Sequence, residues 1–235
     1  MEKTRILVWD LPVRVFHWLL AISFAGAFLT AESERYRDIH VALGYTVLGL
    51  LAFRLVWALV GSRYARLTSF AFGPRAVRAY LRSLLTFRPQ HFVGHNPAGS
   101  WAIYLLVTLG LVAGATGYAT YNDIGGEWLE DLHEGAANFM LAVVFVHIAG
   151  VIVSSLMHRE NLVKAMVTGY KSGRPQEGIR RARWVTGVAL AAVVAVLWSG
   201  AIDVPGLSAA SLAKEPTAQR ADREHARREA VEHGG

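Results

Sequence analysis

The chain has 235 residues, no cysteine, a formal net charge of +6 and an apolar share of 53% against 18% charged residues. Without a thiol there is no disulfide, no thiolate-held cluster, no cysteine nucleophile and no C-x-x-C-H attachment of a cofactor. The apolar residues fall in long runs, which a water-soluble domain interrupts with polar positions, so a soluble fold is excluded.

Five runs stand out, at about 13–31, 40–60, 98–119, 136–157 and 185–201. Each is close to the ~20 residues that cross a ~30 Å hydrocarbon layer as helix, the form in which a backbone satisfies its own hydrogen bonds in lipid. The first run is entered through Asp10, Pro12 and Arg14, and no small-residue cleavage site precedes the second, so the reading is a retained span rather than a signal peptide. His17 lies near the start of the first run. His40 opens the second, Gly44 follows one turn later, and Arg54 is the one charge inside a span. Residues 74–88 open with Pro74 and carry Arg75, Arg78 and Arg82 on one helical face. They read as a short basic helix on an anionic membrane surface, or equally as a solvated loop helix. The third run contains Gly110, Gly114 and Gly117. His133 stands at the start of the fourth and His147 deep within it. The tail Ala213–Gly235 mixes Lys, Arg, Asp and Glu and suggests a solvated helix or disorder.

Charge sorts the connections. The 61–96 segment holds six arginines and no acid, and the 157–184 segment holds seven basic residues against Glu160 and Glu177. The loop after the third run has Asp123, Glu127, Glu130 and Asp131 with no basic residue, and 32–39 is mixed. The positive-inside rule therefore predicts a cytoplasmic amino terminus, cytoplasmic 61–96 and 158–184 loops, and a periplasmic carboxyl terminus. The basic excess is read as membrane orientation, with lipid as its partner and no nucleic acid.

Depth then pairs the histidines. His133 and His147 are fourteen residues apart, about 3.9 turns, so they share one helix face roughly 21 Å apart along the axis. The first span runs inward to outward and sets His17 level with His147. The second runs the other way and sets His40 level with His133. A haem iron takes two axial ligands from opposite faces, and neutral imidazole serves well, so two haem b groups stacked across the membrane fit this pattern. A lone histidine at a helix end reads equally as an interfacial polar residue, but an ionisable residue inside a span, such as His147, is a functional candidate. A histidine-lined metal-ion permease is the competing class, though such a path usually adds intramembrane acids, and none of the five runs contains one. The glycines leave room for a flat macrocycle or serve helix packing. Arg54 needs an anion, either a haem propionate or the headgroups to which it would snorkel.

Several segments also resemble a known family. Val8-Trp9-Asp10-Leu11-Pro12-Val13-Arg14-Val15-Phe16-His17-Trp18 and Ile39-His40-Val41-Ala42-Leu43-Gly44-Tyr45 are similar to the bacterial cytochrome b561 and nickel–iron hydrogenase b-type cytochrome family. So are Arg54-Leu55-Val56-Trp57, Gly61 to Arg66, Gly94-His95-Asn96-Pro97, and His133-Glu134 with His147. The resemblance implies an all-α membrane bundle over residues 1–170, with a four-helix di-haem core. Residues 171–235 supply a fifth transmembrane helix and the tail. It implies an electron-transfer subunit of an oxidoreductase in the bacterial inner membrane, rather than a catalyst on its own. Electrons would pass between a periplasmic or membrane-associated redox partner, such as a hydrogenase, dehydrogenase or c-type cytochrome, and the quinone pool. A stand-alone quinol-oxidising cytochrome is the alternative. The expected iron ligands are His17 with His147 for the inner haem and His40 with His133 for the outer, with Arg54 near a propionate. His95 is expected to cap the third span or to touch a quinone or propionate.

Overall fold

The computed structural model describes residues 4–200. A short strand, β1 (Thr4–Leu7), leads into α1 (Leu11–Thr30). Asp10 sets that boundary: its Oδ1 accepts the Val13 N–H at 3.0 Å, and Pro12 pre-forms the first turn. A 3₁₀ turn at Glu34–Tyr36 feeds α2 (Arg37–Val60), which stops where Gly61 turns extended. The basic segment forms α3 (Pro74–Leu85), and α4 (Pro97–Tyr121) follows. Asn96 caps α4 by accepting the Gly99 N–H at 2.7 Å.

The longest helix, α5 (Glu127–His158), has Glu127 and Glu130 in its first turn and His158 in its last, matching its dipole at both ends. It begins nine residues before the apolar run at 136 because its first turns are polar but helical. After the short α6 (Leu162–Thr168), strand β2 (Tyr170–Gly173) pairs antiparallel with β1, Ile6 opposite Lys171. The last element is α7 (Trp184–Ser199).

Four helices, counting the 3₁₀ turn into α2, are long and apolar enough to cross a membrane: Leu11–Thr30, Glu34–Val60, Pro97–Tyr121 and Glu127–His158. The fifth expected span is the 16-residue α7, shorter than the other four. It packs along α1. Val194 joins Phe16, Val47, Leu50 and Leu51 in one core cluster, and Trp198 Nε1 donates to Thr46 Oγ1 at 3.0 Å. The expected charged tail lies outside the described residues. The main pairings are α1 with α2, α2 with α4, and α4 with α5.

All the basic connections meet at one end. There β1 and β2 form a strap, and Ile6, Val8, Trp9, Trp57, Tyr64 and Ala165 bury together. Tyr64 Oη donates to Glu177 O at 2.7 Å. Lys171, 7% exposed, pairs with Glu160 at 3.3 Å, and Glu160 also accepts the Ser172 N–H. Burial lowers the Lys171 pKa, and Glu160 opposes that shift. Gly169 closes the turn into β2 at φ +88°, where a Cβ would stand 2.7 Å from Trp9 O. The resulting cap covers the end of the bundle that carries His17.

Candidate functional site

The outer histidines meet. The rings of His40 and His133 have centroids 6.0 Å apart at 79° to each other. Each is aimed by a neighbouring helix. His40 Nδ1 lies 2.8 Å from Ala27 O of α1, and His133 Nδ1 lies 2.8 Å from Ala113 O of α4. A carbonyl only accepts, so both Nδ1 atoms carry the proton and both Nε2 atoms keep a lone pair for a metal. Two imidazoles on opposite faces of one metal, bound at about 2.0 Å, have centroids about 6–6.5 Å apart. The observed separation fits one iron between them.

Local packing fixes this geometry. Gly117 of α4 lets the His133 ring lie against the helix, since a Cβ there would stand 2.8 Å from its Cε1. Gly110 and Gly114 are filled instead by Leu51 and Leu48 of α2, which supports helix packing at those two positions. A Cβ added at Gly44, one turn from His40, would meet nothing within 4 Å, so there is open space on that face of α2; Gly135 and Gly150 lie exposed on α5.

At the basic end, His17 and His147 come within electrostatic range of each other. Both are half-buried, and the sheltered His17 Nδ1 has no hydrogen-bond partner. A sheltered imidazole nitrogen without a protein partner is a group that an additional ligand would satisfy. The donor set on both levels, two imidazoles in a largely apolar bundle, therefore fits a haem iron. Among the described residues no three His, Asp or Glu side chains converge on one metal position.

Arg54 has a partner that neither expected alternative, propionate or headgroup, includes: a protein acid. It is 6% exposed, so it does not snorkel, and its Nη1 donates to Ala65 O at 3.0 Å. Its guanidinium lies 5.6 Å from the centre of the Phe70 ring, and the fully buried Asp10 is its electrostatic partner. Asp10 Oδ2 also accepts Trp57 Nε1 at 3.1 Å. The carboxylate at the head of α1 thus joins helix capping to charge compensation, a double role that composition alone did not reveal.

His95 departs as well. Asn96 caps α4, and His95 packs between Trp9 and Phe70, with ring centroids 4.6 and 4.8 Å away. Its Nδ1 is sheltered and has no hydrogen-bond partner. Burial, and after it the charges of Arg54 and Lys171, hold its pKa down to about 3. The ring is therefore neutral near pH 7.

Comparison with known proteins finds relatives of the chain. The family model for prokaryotic cytochrome b561 covers residues 8–169, a stretch that includes His17, His40, His95, His133 and His147. The chain is 26% identical over 222 residues to a probable Ni/Fe-hydrogenase B-type cytochrome subunit of Rhizobium leguminosarum bv. viciae, covering 75% of this chain and 93% of that one. A protein of the same description from Cupriavidus necator is 28% identical, covering 70% and 86%. The probable Ni/Fe-hydrogenase 1 B-type cytochrome subunit of Escherichia coli K12 is 24% identical, covering 70% and 90%. No solved structure matches.

Proposed function

Because the chain belongs to the prokaryotic cytochrome b561 family and is a multi-pass membrane protein, we propose that it carries electrons across the membrane on two haem b groups. The observation that carries this reading is the outer pair: two imidazoles 6.0 Å apart, each with Nδ1 against a carbonyl of another helix. His40 and His133 hold the outer iron, and His17 and His147 the inner. When bound, each haem supplies reversible one-electron chemistry at its iron.

The protein's own work is to bind, orient and insulate. Ala27 O and Ala113 O fix the tautomer and ring direction of the outer ligands, which also raises their basicity. Arg54, buried beside Asp10, sets a positive charge on the inner side, where it compensates a propionate. The cap over the basic end keeps water from His17 and His147.

The hydrogenase relatives support a hydrogenase as redox partner, with the quinone pool at the other end of the path. The concentration of arginine and lysine on the capped end supports the bacterial inner membrane, with that end cytoplasmic and the tail periplasmic. Residues 1–170 form the di-haem unit, with α7 as the flanking fifth helix.

The test is a dithionite-reduced minus oxidised spectrum of the purified protein with haem-to-protein stoichiometry. A b-type α-band at two haems per chain is expected, falling to one in His147→Ala. No b-type band in the wild-type protein would refute the reading.

A further inference from the structure

We infer that His95 is a positioning residue of the inner site, donating a hydrogen bond to a propionate of the inner haem. The inference rests on the two-haem reading and extends it to a residue outside the four ligands.

Three observations converge on this ring. First, it is held in place. Trp9 and Phe70 flank it at 4.6 and 4.8 Å, and Tyr64 crowds the preceding Gly94, where a Cβ would stand 2.6 Å from the Tyr64 ring. Second, it has an unmet hydrogen-bonding atom, the sheltered Nδ1, although the neighbouring Asn96 does the capping. A buried polar atom left without a partner costs about 1–3 kcal/mol, so a fixed one implies a partner that the chain does not itself supply. Third, it lies within electrostatic range of Arg54, His17 and His147 together. No other described loop residue combines those neighbours with an unpartnered ring nitrogen.

The chemistry of the partner follows. A neutral imidazole offers one N–H and one acceptor nitrogen. Asp10 is the acid nearest Arg54 but already accepts the Val13 N–H and Trp57 Nε1, and Glu160 is engaged with Lys171. An oxygen acceptor carrying negative charge, arriving between Arg54 and His95, satisfies both groups. A propionate of a haem held by His17 and His147 brings such an oxygen. A quinone carbonyl is the other oxygen source, and the experiment separates the two.

The experiment is an optically monitored potentiometric titration that resolves the two haems in wild type, His95→Phe and His95→Gln, with quinol oxidation kinetics alongside. Phenylalanine keeps the stacking and removes the donor, whereas glutamine restores a donor. His95→Phe is expected to retain two haems, lower the inner midpoint potential and leave the outer one unmoved, because the propionate charge is less neutralised. His95→Gln is expected to return most of the shift. Unmoved midpoints, an equal fall in both haems, or a fall that glutamine leaves uncorrected overturns the inference. A raised quinol KM with unmoved midpoints also overturns it, in favour of the quinone. His95→Leu supplies the same comparison if phenylalanine does not fold. A wild-type protein without any b-type band sinks the two-haem reading itself, a result distinct from all of these.

Discussion

Replacing Gly117 with alanine tests the outer pair without touching a ligand. The new methyl would stand 2.8 Å from Cε1 and 2.9 Å from Nδ1 of His133. Ordinary carbon contacts begin near 3.5 Å, so the ring must retreat by about 0.7 Å. Its Nδ1 now lies 2.8 Å from Ala113 O, and a retreat of that size breaks the bond, at about 1 kcal/mol. Crowding in a packed site adds about 1–3 kcal/mol. The sum, about 2–4 kcal/mol, corresponds to roughly 30- to 700-fold weaker retention of the outer haem. The assay is haem content by pyridine haemochrome, with a redox titration to identify the haem that remains. Gly49→Ala, where a Cβ meets nothing within 4 Å, is the control and should leave both haems in place. Full haem content and unchanged potentials in Gly117→Ala would show that His133 is not held by α4 as the structure has it.

Four further outcomes are expected. Asp10→Ala removes the α1 cap and the Trp57 acceptor together, and should lower stability by about 2–3 kcal/mol, read as a fall in thermal midpoint in detergent. Arg54→Leu should lower the occupancy or potential of the inner haem while the outer titrates normally; unchanged titration of both would remove Arg54 from the site. Glu160→Gln strips a buried lysine of its counter-charge and should cost about 3 kcal/mol, with faster proteolysis near residues 170–173 as the check. Lys171 also predicts a pH dependence. Burial holds its folded pKa below the ordinary lysine value, so between the two values the unfolded chain binds more protons and stability rises with pH. Thermal unfolding of Lys171→Met across that alkaline window should lack the rise.

Much of this architecture was legible because it is written locally. Apolar run length marked the crossing helices, and helical periodicity put His133 and His147 on one face. Pro97 marked a first helical turn, and α4 does begin there. What stayed hidden depends on contacts between distant segments. The β1–β2 strap joins two four-residue strands whose short sequences carry no clear alternation, so nothing local announces them. The environment of Arg54 was misjudged for the same reason: Asp10 lies before the first apolar run, yet helix packing brings it to the depth of Arg54. His95 looked like a cap from its place before a helix, and only the fold shows Asn96 in that role and the ring between Trp9 and Phe70.

The strap has a bearing on biosynthesis. Leu7 pairs with Tyr170, so the first strand to leave the ribosome waits for its partner until α1 to α6 have been made. Until then the end of the bundle around His17 and His147 is uncovered, while His40, His133 and the carbonyls of α1 and α4 that aim them need nothing made after α5. Folding thus acquires an order, with the His40–His133 pair able to form on a nascent chain and the end around His17 and His147 covered last. A chain halted before residue 170 would bring His40 and His133 together and leave the end around His17 and His147 without its strap.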